Sequence, residues 1–314
     1  YEAEEFEGEG ALVETDEEHE GSAFGRAQTE HSPEETGQTQ EDPALVLART
    51  LLRGASAGDW IHKLFERIMN AAPEDRERIL DNLKPSLAAS ALLSRAAPED
   101  REAVLEAGAE LIAGYVRNTL TCDFFCDATL GVHTGSSAVP FVLDDLTFGK
   151  RLTEMPFLLS VTNPRVKASD VARLMTEHGF AMQTLTESAL SGYLTGAIDM
   201  VFSARGRYFI LDWKSNMLGT DPQDYSQEAM REEIGRKHYA LQYVIYLVAL
   251  KRHLIAAGLY TEDDVWEAIG GGFYVFVRGV DASVSLDENG RRTGVCFDCP
   301  RRAVDALDAL LKGN

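Results

Sequence analysis

Tyr193-Leu194-Thr195-Gly196-Ala197-Ile198-Asp199-Met200-Val201-Phe202 is followed by Ala204-Arg205-Gly206 and then by Arg207-Tyr208-Phe209-Ile210-Leu211-Asp212-Trp213-Lys214. Both runs are rich in β-branched and aromatic residues and flank a tight-turn signal, so they read as adjacent antiparallel strands. With the turn at Ala204–Arg205, Asp199 lies opposite Ile210, and Asp212 is its diagonal neighbour on the same face. Lys214, two residues on, projects to that face as well, and Trp213 points away from it. Two carboxylates and an ammonium thus meet beside Ile198, Ile210 and Leu211. Carboxylates brought together at low dielectric call for a cation. Hard oxygen ligands suit Mg²⁺, with Ca²⁺ or Mn²⁺ as other occupants. Such an ion polarises a phosphoryl oxygen while the lysine orients or deprotonates the attacking water. The plainer reading of an isolated Asp…Asp-x-Lys is a surface hairpin with an ordinary salt bridge.

Outward from this pair, Phe157–Val161 and Phe273–Arg278 also read as strands. Residues 225–255 read as one long helix carrying Met230, Ile234, Leu241, Val244, Ile245 and Val248, and a last helix covers about Arg302 to Leu311. On the N-terminal side, Ile61, Leu64, Phe65 and Ile68 fall on one helical stripe. Pro73 and Pro98, each followed by Glu-Asp-Arg, look like first-turn prolines. Helices first, then a mixed sheet crossed by a long helix, make an α/β or α+β fold, with α/β as the expectation. The expected organisation is a helical part over about 43–120, a long loop over 121–150 and a core over 151–314.

The net charge of −21 is unevenly spread. Residues 1–42 hold 15 acidic side chains against one basic, Arg26, and the remaining 272 residues are only mildly acidic. The first segment, rich in Glu, Gly, Ser and Thr, reads as a disordered acidic linker. The balance argues against a DNA-coating protein and leaves open a catalytic site with local positive charge. No apolar run is long enough to span a membrane. The chain begins at Tyr1 with acidic residues, which reads as a piece of something longer. Cys122 and Cys126, with Cys296 and Cys299, read as reduced thiols, a metal site being the lesser reading.

The motifs around the two aspartates resemble the RecB nuclease family of the PD-(D/E)xK superfamily. The resemblance is carried by GAIDMVF at 196–202, GRYFILDWKSNMLG at 206–219, HYALQYVIYLVALKRHL at 238–254, GGFYVFVRGV at 271–280 and GVCFDCPRR at 294–302. It implies a restriction-endonuclease-like core, a mixed sheet flanked by helices, with an N-terminal helical part. It further implies a Mg²⁺-dependent exodeoxyribonuclease acting in double-strand break repair and DNA degradation in the bacterial cytoplasm. Its partners would be DNA, RecC-like and RecD-like subunits, and a helicase domain preceding it in the same chain. No GxxxxGK[ST] motif occurs within the 314 residues, so ATP hydrolysis would belong to that preceding part.

Position by position, the resemblance gives His62 in WIHKLFERI as a metal ligand, alongside Asp199, Asp212 and the Trp213 backbone carbonyl. Glu154 in LTEMPFLLSV matches the acidic residue placed just before the first core strand; a solvated carboxylate beside Arg151 is the plainer alternative. Gln242 and Tyr246 form a QxxxY motif and share a helical stripe with Tyr239, so they support the site or bind DNA unless they simply pack. Ser215 and Asn216 bond phosphate or cap a turn. Lys237, His238, Arg252 and His253 add positive charge along the same helix. The alternatives in function are a non-catalytic scaffolding domain on the same fold, or an AddA-type or free-standing nuclease of the superfamily.

Overall fold

The computed structural model describes residues 41–125, 140–182, 188–283, 287 and 290–313. The expected linker lies outside these residues except for Glu41 and Asp42, and Cys126 also lies outside them. Asp42 already belongs to the folded part, because its carboxylate accepts the Ala44 N–H at 2.9 Å and caps the first helix.

A five-stranded mixed sheet forms the centre, ordered β1 (Arg151–Val161), β2 (Gly192–Ala204), β3 (Arg207–Lys214), β4 (Ile269–Phe276) and β5 (Val295–Asp298). Only β3 and β4 are parallel. The crossover between them carries three helices, α7 (Gln227–Arg236), α8 (Tyr239–Ala256) and α9 (Val265–Ala268), as parallel neighbours require. Among the described residues, five α-helices precede the sheet: α1 (Pro43–Leu51), α2 (Ala55–Asn70), α3 (Pro73–Asp81), α4 (Leu83–Ser90) and α5 (Arg101–Thr121). Helix α6 (Ala168–Glu177) follows β1, and α10 (Arg301–Lys312) closes the chain.

Two apolar clusters sandwich the sheet. On one face Ile61, Leu64, Phe65 and Ile68 of α2 join Met200, Phe202, Phe209, Leu211, Trp213 and Phe273. On the other, α8 lies over Val201, Ile210, Tyr274 and Phe276. Helix α2 is pinned through Phe65, whose ring stacks on Trp213 with centroids 4.4 Å apart. Close seating at β4 depends on bare backbone: a Cβ at Gly270 would lie 2.2 Å from the Phe209 ring, and one at Gly272 2.3 Å from Ile210.

Several expectations need correction. The β2–β3 turn is the two-residue Arg205–Gly206, with φ of +50° and +75°, one residue on from the expected Ala204–Arg205. Positive φ at both central residues matches the twist of paired strands. Val201 therefore pairs with Ile210, two residues away from the expected register. The helix over 225–255 is broken at Lys237–His238, where His238 adopts φ +57°. Pro98 sits in a turn, and α5 starts only at Arg101. Glu154 lies inside β1 rather than before it. The four residues of β5 are too few for a periodic signal, whereas α6 carries one in Ala168, Val171, Ala172 and Met175 that sequence inspection passed over.

Truncating Phe65 to Ala should cost about 3–5 kcal/mol of unfolding free energy, the range for emptying a fully buried aromatic site. Urea denaturation followed by tryptophan fluorescence would measure it. An unchanged midpoint would mean that α2 is held by something other than the Phe65–Trp213 contact.

Candidate active site

Strand β2 loses its alternation at Asp199. Ile198 and Val201, three residues apart, both face the α8 side, whereas Met200 and Phe202 face α2. Across the ladder, Glu154 lies between the pairs Thr153–Met200 and Met155–Ile198 and takes φ +48°. That left-handed conformation costs a non-glycine residue roughly 1–2 kcal/mol. Strand β3 alternates without interruption, Leu211 and Trp213 facing α2 and Ile210 facing α8.

The β2–β3 ladder ends at Met200–Leu211, and its register brings Asp199 level with Asp212 rather than diagonal to it. The Trp213 N–H, left without a strand partner there, donates to Asp199 Oδ2 at 2.8 Å. The same oxygen lies 3.3 Å from His62 Nδ1, which reaches it from α2. Burial opposes protonation of His62, but the Asp199 hydrogen bond and the charges of Asp199 and Asp212 outweigh it, so its pKa is raised.

Asp212 and Lys214 face α8 and are both buried. Lys214 Nζ lies 2.7 Å from Asp212 Oδ2, an ion pair by distance. The contact is short enough for a charge-assisted hydrogen bond, and Lys214 is the cation that faces this buried oxygen. Burial, only partly offset by the Lys214 charge, pushes the Asp212 carboxyl up to about 6. Burial also works against the Lys214 ammonium, yet the adjoining Asp212 charge more than compensates, and its pKa is raised.

Helix α8 holds the lysine in place. Lys214 donates to Gln242 Oε1 at 2.9 Å, Gln242 Nε2 donates to the Tyr246 hydroxyl at 2.8 Å, and the ammonium sits 3.7 Å from the Tyr239 ring centroid. Asn216 donates to Glu233 of α7 at 2.9 Å and to the Tyr239 hydroxyl at 3.2 Å, tying the segment after the lysine to both helices. Ser215 offers its carbonyl to Arg278 Nε at 2.6 Å.

Thus His62, Asp199, Asp212, Lys214, Gln242, Tyr239, Tyr246 and Asn216 converge at the end of β3. Glu154 stands at the rim. Its side chain reaches solvent, yet partial burial, then the charges of Asp199 and Glu66, raise its pKa. Arg252 does not belong here, because it is committed to Asp308 and to the Ser160 carbonyl. Sequence inspection passed over Glu66, four residues after His62 and so on the same helical stripe. It also passed over Tyr274, whose ring lies 5.2 Å from Lys214 Nζ, and Arg278, which anchors Ser215. Both lie in the strand motif YVFVRG, where a period of two marks the face but not the contact.

Among the described residues, no three His, Cys, Asp or Glu side chains are already gathered as a metal cage. The donor set nevertheless fits a hard divalent cation. Two carboxylates and an imidazole adjoin one another, and the buried Asp212 carboxylate is only partly compensated by Lys214. Among the described cysteines, Cys122 belongs to the α2-side cluster, Cys296 to the α8-side cluster, and Cys299 packs against the latter.

A search against protein families matches residues 39–284 to the PD-(D/E)XK nuclease superfamily. Members of that superfamily generally use divalent metal ions. The chain is 33% identical over 176 residues to the RecBCD enzyme subunit RecB of Haemophilus influenzae, covering 56% of this chain and 14% of that protein. It is 31% identical over 244 residues to the RecBCD enzyme subunit RecB of Escherichia coli, covering 77% of this chain and 18% of that protein. The same subunit of Mycobacterium tuberculosis is 30% identical over 200 residues, covering 56% of this chain and 18% of that protein. The matched stretches therefore span less than a fifth of each of these relatives.

In the metal-free chain, the His62 imidazole should titrate above its ordinary 6.5. Asp199→Asn removes the hydrogen-bonded carboxylate that chiefly opposes burial, so the His62 pKa should fall. Proton NMR of the histidine ring resonances reads both values, and an unmoved pKa would show that the two side chains are not in contact.

Proposed function

The chain belongs to the PD-(D/E)XK nuclease superfamily, in which it is a RecB-like nuclease domain, and on that premise we propose that it hydrolyses DNA phosphodiester bonds with a divalent cation, Mg²⁺ foremost. The observation that carries the proposal is the buried Asp212 carboxylate, only partly compensated by the buried Lys214 two residues on and set beside the Asp199–His62 pair. Asp199, Asp212, His62 and the Trp213 carbonyl would hold the ion, with Ca²⁺ or Mn²⁺ as substitutes. When bound, such an ion polarises a phosphoryl oxygen and makes water a stronger nucleophile.

The protein's own groups have distinct tasks. Lys214 keeps its proton, so it serves as a fixed donor that orients the attacking water or a phosphate oxygen. Gln242 accepts one of its N–H bonds and thereby sets the direction of the others. Tyr246 fixes the Gln242 amide, and Tyr239 stabilises the ammonium through its ring. Glu154, at the rim and with a raised pKa, is placed to take the proton that leaves the water. Ser215 and Asn216 act as supports, since their described bonds go to other parts of the protein.

By likeness to subunits of the RecBCD enzyme, the chain would be the nuclease part of a longer, cytoplasmic helicase–nuclease chain with RecC-like and RecD-like partners. Residues 1–42 would be its tether and 43–314 its nuclease domain. Its work would be exonucleolytic degradation of DNA and repair of double-strand breaks by homologous recombination. Among the described residues, no helix is long and apolar enough to cross a membrane.

The test is digestion of linear single- and double-stranded DNA with and without Mg²⁺. Asp212→Ala should abolish cleavage and weaken Mg²⁺ binding in calorimetry. Lys214→Ala should bind Mg²⁺ but lose at least about 10²-fold in cleavage rate. Arginine should not restore it, because its planar fork would misplace the water. Near-normal cleavage by Lys214→Ala at saturating Mg²⁺ would remove the lysine from the chemistry.

A pH series supplies a separate prediction. A cation competes with protons for His62 and Asp212, and both pKa values are raised in the metal-free state. Mg²⁺ affinity should be full at alkaline pH and decline as pH falls through about 6. Calorimetry in buffers of different ionisation enthalpy would reveal the released protons. Affinity independent of pH would exclude both groups as ligands.

A further inference from the structure

Strands β1 and β2 run on past the site as a two-stranded arm. From Asp199 to Tyr193 is six residues, about 20 Å of strand and room for a few nucleotides. Met155, Phe157, Leu159 and Leu194 turn to the α8 side of this arm. The opposite face carries Pro156, Leu158, Tyr193 and Thr195. Leu158 pairs with Thr195, and Tyr193 pairs with Ser160, so Leu158 and Tyr193 are diagonal neighbours on one face. They are 62% and 63% exposed, in contrast to the buried aromatic residues of both clusters. The contact of α2 with β1 extends to Thr153, whose hydroxyl bonds Asn70, and does not reach them.

Charge identifies the occupant. Residues 155–169 contain no acidic residue and carry Arg165 and Lys167, and residues 188–198 contain no charge, while Asp170, which accepts the Lys167 N–H and pairs with Arg173, is the nearest described carboxylate after the tip. Both basic residues are exposed, just beyond Tyr193 at the tip of the arm. Phosphates are repelled by carboxylates and drawn to such a tip. An exposed aromatic ring beside an aliphatic side chain is what unpaired bases stack upon.

We propose that the outer face of the β1–β2 arm is a stacking platform for single-stranded DNA, with Tyr193 and Leu158 receiving bases and Arg165 and Lys167 the backbone, on the track that leads to Asp199. The inference rests on the nuclease reading above, and it adds the surface along which a strand approaches the site. It assigns Tyr193 and Leu158 to substrate capture, not to chemistry.

Fluorescence anisotropy of a labelled oligothymidylate of about 20 nucleotides, in EDTA so that nothing is cleaved, separates binding from catalysis. Tyr193→Ala should weaken binding roughly 5- to 100-fold, the range that one stacked base supplies. Tyr193→Phe should bind as the wild type does, and Leu158→Ser should fall between. In Mg²⁺, Tyr193→Ala should raise KM for long single strands and leave kcat unchanged. Unchanged binding by both Tyr193→Ala and Leu158→Ser would overturn the platform and make the face a protein interface, whatever the cleavage assay shows. A wild-type chain that cleaves nothing, while Tyr193→Ala still loses affinity, would instead overturn the nuclease reading and leave the platform standing.

Discussion

The Trp213 N–H must find an acceptor at the point where β2 leaves β3, and the Asp199 carboxylate provides it. A buried amide without a partner would cost about 1–3 kcal/mol, so the side chain is fixed as firmly as the backbone it replaces. The parting of the strands explains the neighbouring irregularities. Side-chain alternation slips between Ile198 and Val201, and Glu154 is turned into the left-handed region opposite. Because the ladder ends here, α2 can bring His62 to Asp199 from one side of the sheet while α8 brings Gln242 to Lys214 from the other.

Two buried lysines in this protein show what is particular about the site. Lys251 is surrounded by Glu262, Asp305 and Asp308, at 3.0, 2.9 and 3.2 Å. Its charge is fully compensated within the fold, and it joins α8 to α10. Lys214 has one adjoining carboxylate, one amide oxygen and two tyrosine rings. That environment holds the ammonium in place without saturating its donors, and it leaves Asp212 under-compensated as well. The first arrangement serves cohesion. The second keeps charge available at the end of a strand, where strain or uncompensated charge commonly marks function.

Much of this was legible in the residues. The turn signal, the alternating runs and the Asp…Asp-x-Lys spacing placed β2, β3 and three charged groups in one neighbourhood. The register was misjudged because Arg is an uncommon first residue for such a turn. Its positive φ is accompanied by a contact of the guanidinium with the Phe125 ring, which lies 80 residues away in the chain. No local pattern could reveal that. The break at His238 was equally hidden, since apolar residues recur at helical spacing on both sides of it. The slip at Asp199 is a property of three strands together, and a period of two read along one strand cannot show it. His62 is the reverse case: periodicity placed it at the edge of the α2 stripe, and the resemblance alone suggested a task for it.

Among the described residues, strand β1 is also an outer edge of the sheet, with β2 as its one neighbour. An eleven-residue edge with exposed Leu152 and Leu158 is the kind of strand on which another chain can pair through its backbone. Pro156, near the middle of β1, withholds one N–H from any such pairing, and the slip at Glu154 bends the edge. Fibril-like association through β1 is thereby interrupted on both sides of residue 155 by features of the strand itself. Replacing Pro156 with a β-branched residue would leave the internal ladder with β2 in place while opening a longer edge to a second molecule. Resistance to self-association is thus written into the same few residues that shape the approach to Asp199.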